Sequence, residues 1–194
     1  MIAESTIESA RQGDVGTPLA YGHIHRGLAL IAQGDPTGIA EICEGVTILE
    51  ERGEAQPRLT GLSYLAEAYL AMGRIHEGLA AADDAFSSLK TMEACLCEAE
   101  LHRVKGELLL RKDRASCDEA CECFERAISI ARAQSAKSWE LRATTSLARL
   151  LAKQGRRDEA RTRLAEIYDW FTEGFDTADL KDAKALLGQL DQDY

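Results

Sequence analysis

The sequence predicts an all-α fold: a tetratricopeptide-like right-handed superhelix of antiparallel helix pairs, finished by a C-terminal capping helix. Three observations predict it. First, with 3 prolines and 6% aromatic residues, the chain is short of what β-strands and their turns require. Its dominant alanine, leucine, glutamate and arginine are strong helix formers. Second, small residues recur at Gly27, Ala66, Gly106 and Ala148, separated by 39, 40 and 42 positions, and a repeat of that length marks stacked helical units. Third, each is followed by a Gly or loop and then a second apolar stripe at spacings of four and three. These stripes are Gly78, Ala82 and Ala85; Ala120, Phe124 and Ala127; and Ala160, Leu164 and Ile167. Such spacing places each trio on one helix face.

The elements follow in order. A helix is expected over 2–12, where Ala3, Ile7 and Ala10 have the spacing of a second helix with no first helix before it. Residues 1–16 therefore read as the second helix of a truncated repeat, either of a shortened protein that starts at Met1 or of a piece of a longer array. Helices 17–34 and 36–52 form the repeat 17–53; 56–73 and 75–91 form 56–91; 93–112 and 116–134 form 93–134; 137–154 and 157–172 form 137–172. A last helix, 178–190, is the cap within 176–191, with Asp176 or Thr177 as its N-cap. All of this is expected to make one helical repeat domain over 1–194. Pro18, Pro36 and Pro57 stand at helix starts, where proline is tolerated. Gly34, Gly73 and Gly155 stand just past first-helix ends, as C-caps do. The small residues matter because helices about 8–10 Å apart cannot both carry bulky groups where they cross. A large residue at Gly106 or Ala148 is expected to force its pair apart.

Charge narrows the function. A net charge of −10 and a pI near 4.9 argue against nucleic-acid binding, which needs clustered Lys and Arg. No apolar run approaches the roughly 20 residues of a membrane span. The first residues lack the basic and apolar segments of a signal peptide, so a cytoplasmic protein is expected. The six cysteines, at 43, 95, 97, 117, 121 and 123, contain no C-x-x-C pair and read as reduced packing residues. Cys117 and Cys121 share a helix face, but the spacing of the set fits no zinc module. His23 and His25 point to different sides of a helix and cannot chelate one metal together. No catalytic or nucleotide-binding signature occurs. The acidic pairs Asp83-Asp84 and Asp118-Glu119 read as solvated outer faces. The expectation is a non-enzyme with no metal and no cofactor.

A binding surface is expected where the first helices line the concave side of the stack. Registering on the small residues places Tyr21, Ile24, Leu28, Ile31 and Ala32 there from the first repeat. Thr60, Ser63, Glu67, Leu70 and Ala71 come from the second. Glu100, Arg103, Glu107, Leu110 and Arg111 come from the third, and Arg142, Thr145, Arg149, Ala152 and Lys153 from the fourth. The groove so drawn runs from apolar to basic. Its expected partner-binding residues are Tyr21, Leu28, Glu67, Arg103, Glu107, Arg142, Arg149 and Lys153, with arginine suited to bidentate carboxylate contacts. The partner is a protein or peptide of acidic character. Glu100, Arg103 and Glu107 also sit at spacings that let them pair among themselves. Two alternatives stand beside this: a homodimer formed through the end helices, and a small-molecule sensor using the apolar end around Tyr21, Leu28 and Tyr69. Residues 134–165 carry a net +5 and 166–194 a net −6, so the cap is expected to dock on the fourth pair and compete for the same arginines. Trp170, Phe171 and Phe175 either anchor that cap or form an exposed hot spot.

Three stretches carry a family likeness: ELHRVKGELLL (100–110), EACECFERAISIARAQSAKSWELRATTSLARLLAKQGRRDEAR (119–161) and YDWFTEGFDTADLKDAKALL (168–187). They resemble the C-terminal tetratricopeptide region of bacterial adenylate/guanylate cyclase-like signalling proteins, STAND-type predicted ATPases. In that family a class III cyclase or DNA-binding domain precedes the ATPase and the helical repeats come last. The likeness is strong over 98–190 and loose over 17–92, and WFTEGFDTADLK is its most specific piece. The chain has neither a phosphate-binding loop nor a cyclase domain, so the family's nucleotide chemistry maps onto no residue here. What the resemblance implies is a scaffold or sensor arm.

Overall fold

The structure is a computed structural model that describes residues 16–89 and 95–192. The helix expected over 2–12 lies outside the described residues. Among those described there are nine α-helices and no strand. They are α1 (Gly16–Ala32), α2 (Gly38–Glu51), α3 (Ala55–Ala71), α4 (Ile75–Leu89), α5 (Glu98–Lys112), α6 (Cys117–Ala133), α7 (Lys137–Lys153), α8 (Arg157–Tyr168) and α9 (Ala178–Asp191). Packing divides the chain into two compact units, the first ending at Cys97 and the second beginning at Glu98.

In the first unit α2 folds back on α1, and α4 on α3, while α2 also packs on α3 and α1 touches α3. The α1–α2 pair shows what the small residues do. A Cβ on Gly27 would lie 2.5 Å from the Gly38 carbonyl oxygen and 2.6 Å from Ile42 Cγ1. On Gly38 it would strike the Gly27 carbonyl, and on Gly45 it would lie 2.5 Å from that of Ala20. Backbone meets backbone along this crossing, and no residue with a side chain fits at these points. Ile24, Ile42, Leu49 and Leu59, all fully buried, fill the space to either side. On the same pair His23 bonds Glu41 at 2.8 Å, while His25 stacks on Tyr21 with ring centroids 5.9 Å apart. The two imidazoles diverge, as their spacing requires.

The second unit repeats the arrangement. Here α6 folds on α5 and α8 on α7, α6 packs on α7, and α5 touches α7. At this crossing the space over Gly106 is taken by an aromatic ring: an added Cβ would be 2.5 Å from Phe124 Cε1. Ala120, Phe124 and Ala127, together with Ala160, Leu164 and Ile167, are the buried stripes of α6 and α8. The last helix packs on both α7 and α8 through Leu180, Ala183, Leu186 and Leu190. Its place is that of a further first helix. Gly188 falls 40 residues after Ala148, the interval that separates the other small residues. Nothing lies within 4 Å of a Cβ added there, and Lys181, Lys184, Ala185 and Asp191 around it are exposed. A polar outer face on a terminal repeat helix is what keeps such an array solvated.

Punctuation follows the expected scheme, with four differences. Gly34, Gly73 and Gly155 have φ of 80°, 71° and 81°, the left-handed caps that release each chain into its turn. The equivalent position after α6 is Ser135 at φ 56°, a conformation that disfavours any residue with a Cβ. The fifth helix begins at Glu98 instead of 93, because Cys95–Cys97 lie outside it with the two thiol sulfurs 2.8 Å apart. The eighth ends at Tyr168 instead of 172. There the amides of Trp170 and Phe171 bond only three residues back, to Ile167 and Tyr168, and the buried stripe has run out at Ile167. Thr177 occupies the N-cap of α9, but its side chain makes no capping bond.

One half-buried group makes the second unit sensitive to acid. His102 lies on α5, where burial and then the nearby charges of Arg126 and Lys105 push its imidazole down to about 4. Its folded pKa is thus below the ordinary value of 6.5. Between these values the unfolded chain binds the extra proton and the folded chain does not. The stabilisation is complete above pH 6.5 and is lost as pH falls toward 4. Unfolding monitored from about pH 7 to about pH 4.5 is expected to show falling stability, and His102→Gln to flatten that slope. A His102 ring resonance titrating at its ordinary value in the native protein would contradict it.

The crossing itself is tested by two glycines. Gly106→Ala gains about 0.5–1 kcal/mol of helix propensity but forces Phe124 aside, and overpacking costs about 1–3 kcal/mol. It is expected to lower the denaturation midpoint. Gly188→Ala meets nothing, so it is expected to raise the midpoint by the propensity gain alone. Equal shifts of one sign would refute the packing account.

Candidate functional site

The second unit has a cleft of about 150 Å3 on the side of its first helices, lined from α5, α7 and α9. The register explains who lines it. Glu100 and Arg142 stand six residues before their small residues, as Asp182 stands six before Gly188. Glu107 and Arg149 stand one residue after theirs. At the earlier of these positions three successive first helices therefore carry charges of alternating sign.

The result is a ladder of ion pairs. Arg103 grips Glu100 through Nε at 3.0 Å and Nη2 at 2.6 Å, and both residues are buried, with 8% and 9% exposure. Arg142 reaches Glu100 from α7 at 2.9 Å and lies 3.8 Å from Asp179 of α9. Arg149 pairs with Asp182 of α9, and Ser146 donates to Glu107 at 2.6 Å. The pairing suspected within α5 is present, and the cap supplies the rest of the carboxylates. At the far side of α9, Arg161 pairs with Asp191, and Arg157 donates to the Gln189 carbonyl at 2.8 Å. The basic fourth pair and the acidic cap thus meet along two rows.

The ladder is not uniform in strength. The Arg103–Glu100 pair is removed from water, and breaking a pair in that setting costs about 3–5 kcal/mol. Arg142, Arg149, Asp179 and Asp182 keep between 29% and 52% of their side-chain surface, and exposed pairs contribute about 0–1 kcal/mol. Arg103 is therefore a structural post and Arg149 holds an exchangeable partner, while Arg142 is tied at 2.9 Å to buried Glu100 and only its contact with Asp179 is exposed. Behind the cleft, Glu140 is a buried carboxylate at the start of α7. Burial alone would raise its pKa, but Lys137 and Arg132, each at 2.7 Å, hold it below the ordinary value.

The structure brings together four of the eight residues singled out: Arg103, Glu107, Arg142 and Arg149 line one cleft. Lys153 lines a different depression of about 620 Å3, with Leu110, Cys117 and Leu150. Tyr21 and Leu28, half-buried on α1, and Glu67 on α3 belong to the first unit. Ile24, placed in the groove by register, is fully buried instead. Sequence reasoning missed Ser146, Asp179 and Asp182. The signal for the two aspartates was Gly188, one further interval along.

The aromatic segment also resolves. Trp170 and Phe175 are 57% and 47% exposed, while Leu180, Ala183, Leu186 and Leu190 carry the packing of the cap. Two of the three rings do not serve as anchors.

No described helix is long and apolar enough to cross a membrane. No family model and no curated protein matches the sequence. Among solved structures the chain is similar to the nearly identical TPR-like repeats of a candidate kinesin light chain from Podosopora anserina. The likeness has a TM-score of 0.69 at 17% identity and covers 92% of this chain and 87% of that one. A single-substitution variant of the same protein gives 0.69 and 17%, covering 90% and 85%. At that identity the likeness speaks for architecture alone, and it agrees with the helix pairs and their interval: the fold is all-α and tetratricopeptide-like.

Proposed function

We propose that this chain is a non-catalytic protein-interaction module, the helical scaffold arm of a bacterial cyclase-like or STAND-type signalling protein. Its partner is a protein or peptide bearing acidic residues, bound in the first-helix groove. The observation that carries this reading is Arg149, partly exposed and paired with exposed Asp182 of α9, with Arg142 beside it between buried Glu100 at 2.9 Å and exposed Asp179 at 3.8 Å. An incoming acidic segment would exchange with Asp179 and Asp182. Because one surface pair replaces another, the exchange itself costs little. Arginine's planar fork then favours a partner carboxylate able to bond it in bidentate fashion. Arg103, fixed by buried Glu100, keeps α5 in place while this happens.

The test uses a fluorescent peptide rich in glutamate and measures anisotropy against the whole chain. Binding is expected to weaken as salt rises and to fall by about tenfold or more with Arg149→Glu, a loss typical of a desolvated interfacial charge. Binding that ignores both salt and Arg149→Glu removes the groove reading. Light scattering on the same samples separates it from self-association, since a monomer at all concentrations rejects the homodimer.

A further inference from the structure

The twelve residues from Trp170 to Lys181 are not demanded by repeat packing, and they build a second depression beside the arginine cleft. It measures about 610 Å3, and its lining includes Leu141, Trp170, Phe171, Glu173, Asp179 and Leu180. That volume lies within the roughly 300–1,000 Å3 of ordinary binding clefts. Its floor is apolar, from Leu141, Phe171 and Leu180. One wall is Trp170, which remains 57% exposed. Phe171 meets the indole edge-on at 5.1 Å, and Lys137 Nζ sits 5.7 Å from the indole ring centre. The ring thus already faces a cation, the interaction that tryptophan makes best.

Charge identifies the occupant. Both charged residues of the lining, Glu173 and Asp179, are carboxylates, and Asp169 and Asp176, close in sequence, are exposed. Asp179 already lies 3.8 Å from Arg142, so the charge of Glu173 decides: it would repel an acidic segment and would be left uncompensated by a purely apolar one. We propose that this groove docks a partner segment that joins an aliphatic side chain to a neighbouring Lys or Arg. The aliphatic group enters against Leu141, Phe171 and Leu180, and the cation lies over Trp170 within reach of Glu173. The pattern matches interface hot spots, in which an exposed aromatic becomes the desolvated centre and charged groups form the rim. The site adjoins the arginine cleft at Asp179, which lines both, but it calls for the opposite charge and is tested through Trp170 and Glu173, which line this groove alone.

The experiment measures the anisotropy of a labelled helical peptide of about 15 residues built from Lys and Leu, and of its Glu–Leu counterpart. The Lys–Leu peptide is expected to bind saturably in the groove, and any binding of the Glu–Leu peptide at the arginine cleft is expected to be unchanged by substitutions in the groove. Trp170→Ser and Glu173→Lys are each expected to weaken Lys–Leu binding by about tenfold, the loss a hot-spot residue gives. Asp118→Lys, an exposed charge change on α6, is expected to leave it unchanged. An equal loss with Asp118→Lys would mean general attraction to an acidic protein and would overturn the site. So would unchanged binding of the Lys–Leu peptide with either groove variant, an equal loss of Glu–Leu binding with Trp170→Ser, or no saturable Lys–Leu binding. A dimer by light scattering that Trp170→Ser dissociates would also overturn it, by showing a second copy in the groove.

Discussion

Everything in this chain depends on how closely two helices may approach at their crossing. At Gly27 and Gly38 the answer is backbone against backbone, and at Gly106 it is backbone against the Phe124 ring. Close approach is what lets short helices bury enough apolar surface to hold, since isolated helices of 12 to 17 residues are marginal alone. It also decides where bulk must go. Leu49, Leu59, Leu101, Leu108 and Leu147, all fully buried, sit beside the crossings and never at them. Within each unit a helix pair then touches little beyond its neighbours, the additive pattern of a repeat. The inner face of the first helices stays out of the apolar core, which leaves it available for charge.

That division explains why the fold is legible in the sequence. The interval of about forty residues, the stripes at four and three, and the glycines at 34, 73 and 155 are all local signals. Boundaries fail where local signals compete with tertiary ones. Ser135 adopts a glycine's conformation because the packing of α6 against α7 dictates the turn, whatever residue occupies it. The end of α8 reads too late because Trp170 and Phe171 look like a continued apolar stripe, yet the chain turns away to bring α9 onto α7 and α8. Gly188 escapes notice since the residue three places on, Leu30, Tyr69, Leu109 and Leu151 in the other first helices, is here Asp191. Its interval is in plain view; its chemistry is not.

The site is legible by half. Register groups Arg103, Glu107, Arg142 and Arg149, and these four line one cleft. What it cannot supply is the order of pairing between helices. Whether Arg142 chooses Glu100, Asp179 or solvent depends on heights along neighbouring helices that differ by fractions of a turn. Burial is likewise invisible. Arg103 and Arg149 look alike in sequence, yet one is shut in with its carboxylate while the other stands half in water with Asp182. Their roles differ for that reason alone, because the energy of a pair depends far more on its solvent than on its distance.

The charge asymmetry of the chain follows from the same ladder. The position six residues before the small residue reads Glu100, Arg142 and Asp182 on successive first helices, so sign alternates from helix to helix, with Arg142 on Glu100, and Asp182 on Arg149. Carried onto α9, the alternation requires acid on its inner side, where Asp179 and Asp182 stand. Its outer side meets no further helix among those described, and there Lys181 and Lys184 face water. Leucines give α9 its hold and the aspartates give it its register. A cap positioned by weak, exposed pairs on top of a firm apolar seam can exchange the pairs without losing the seam, and that is the property a competing acidic ligand needs. The apolar groove at Trp170 lies outside this logic: it neither seals the seam nor extends the ladder, and its exposed indole is explained by neither.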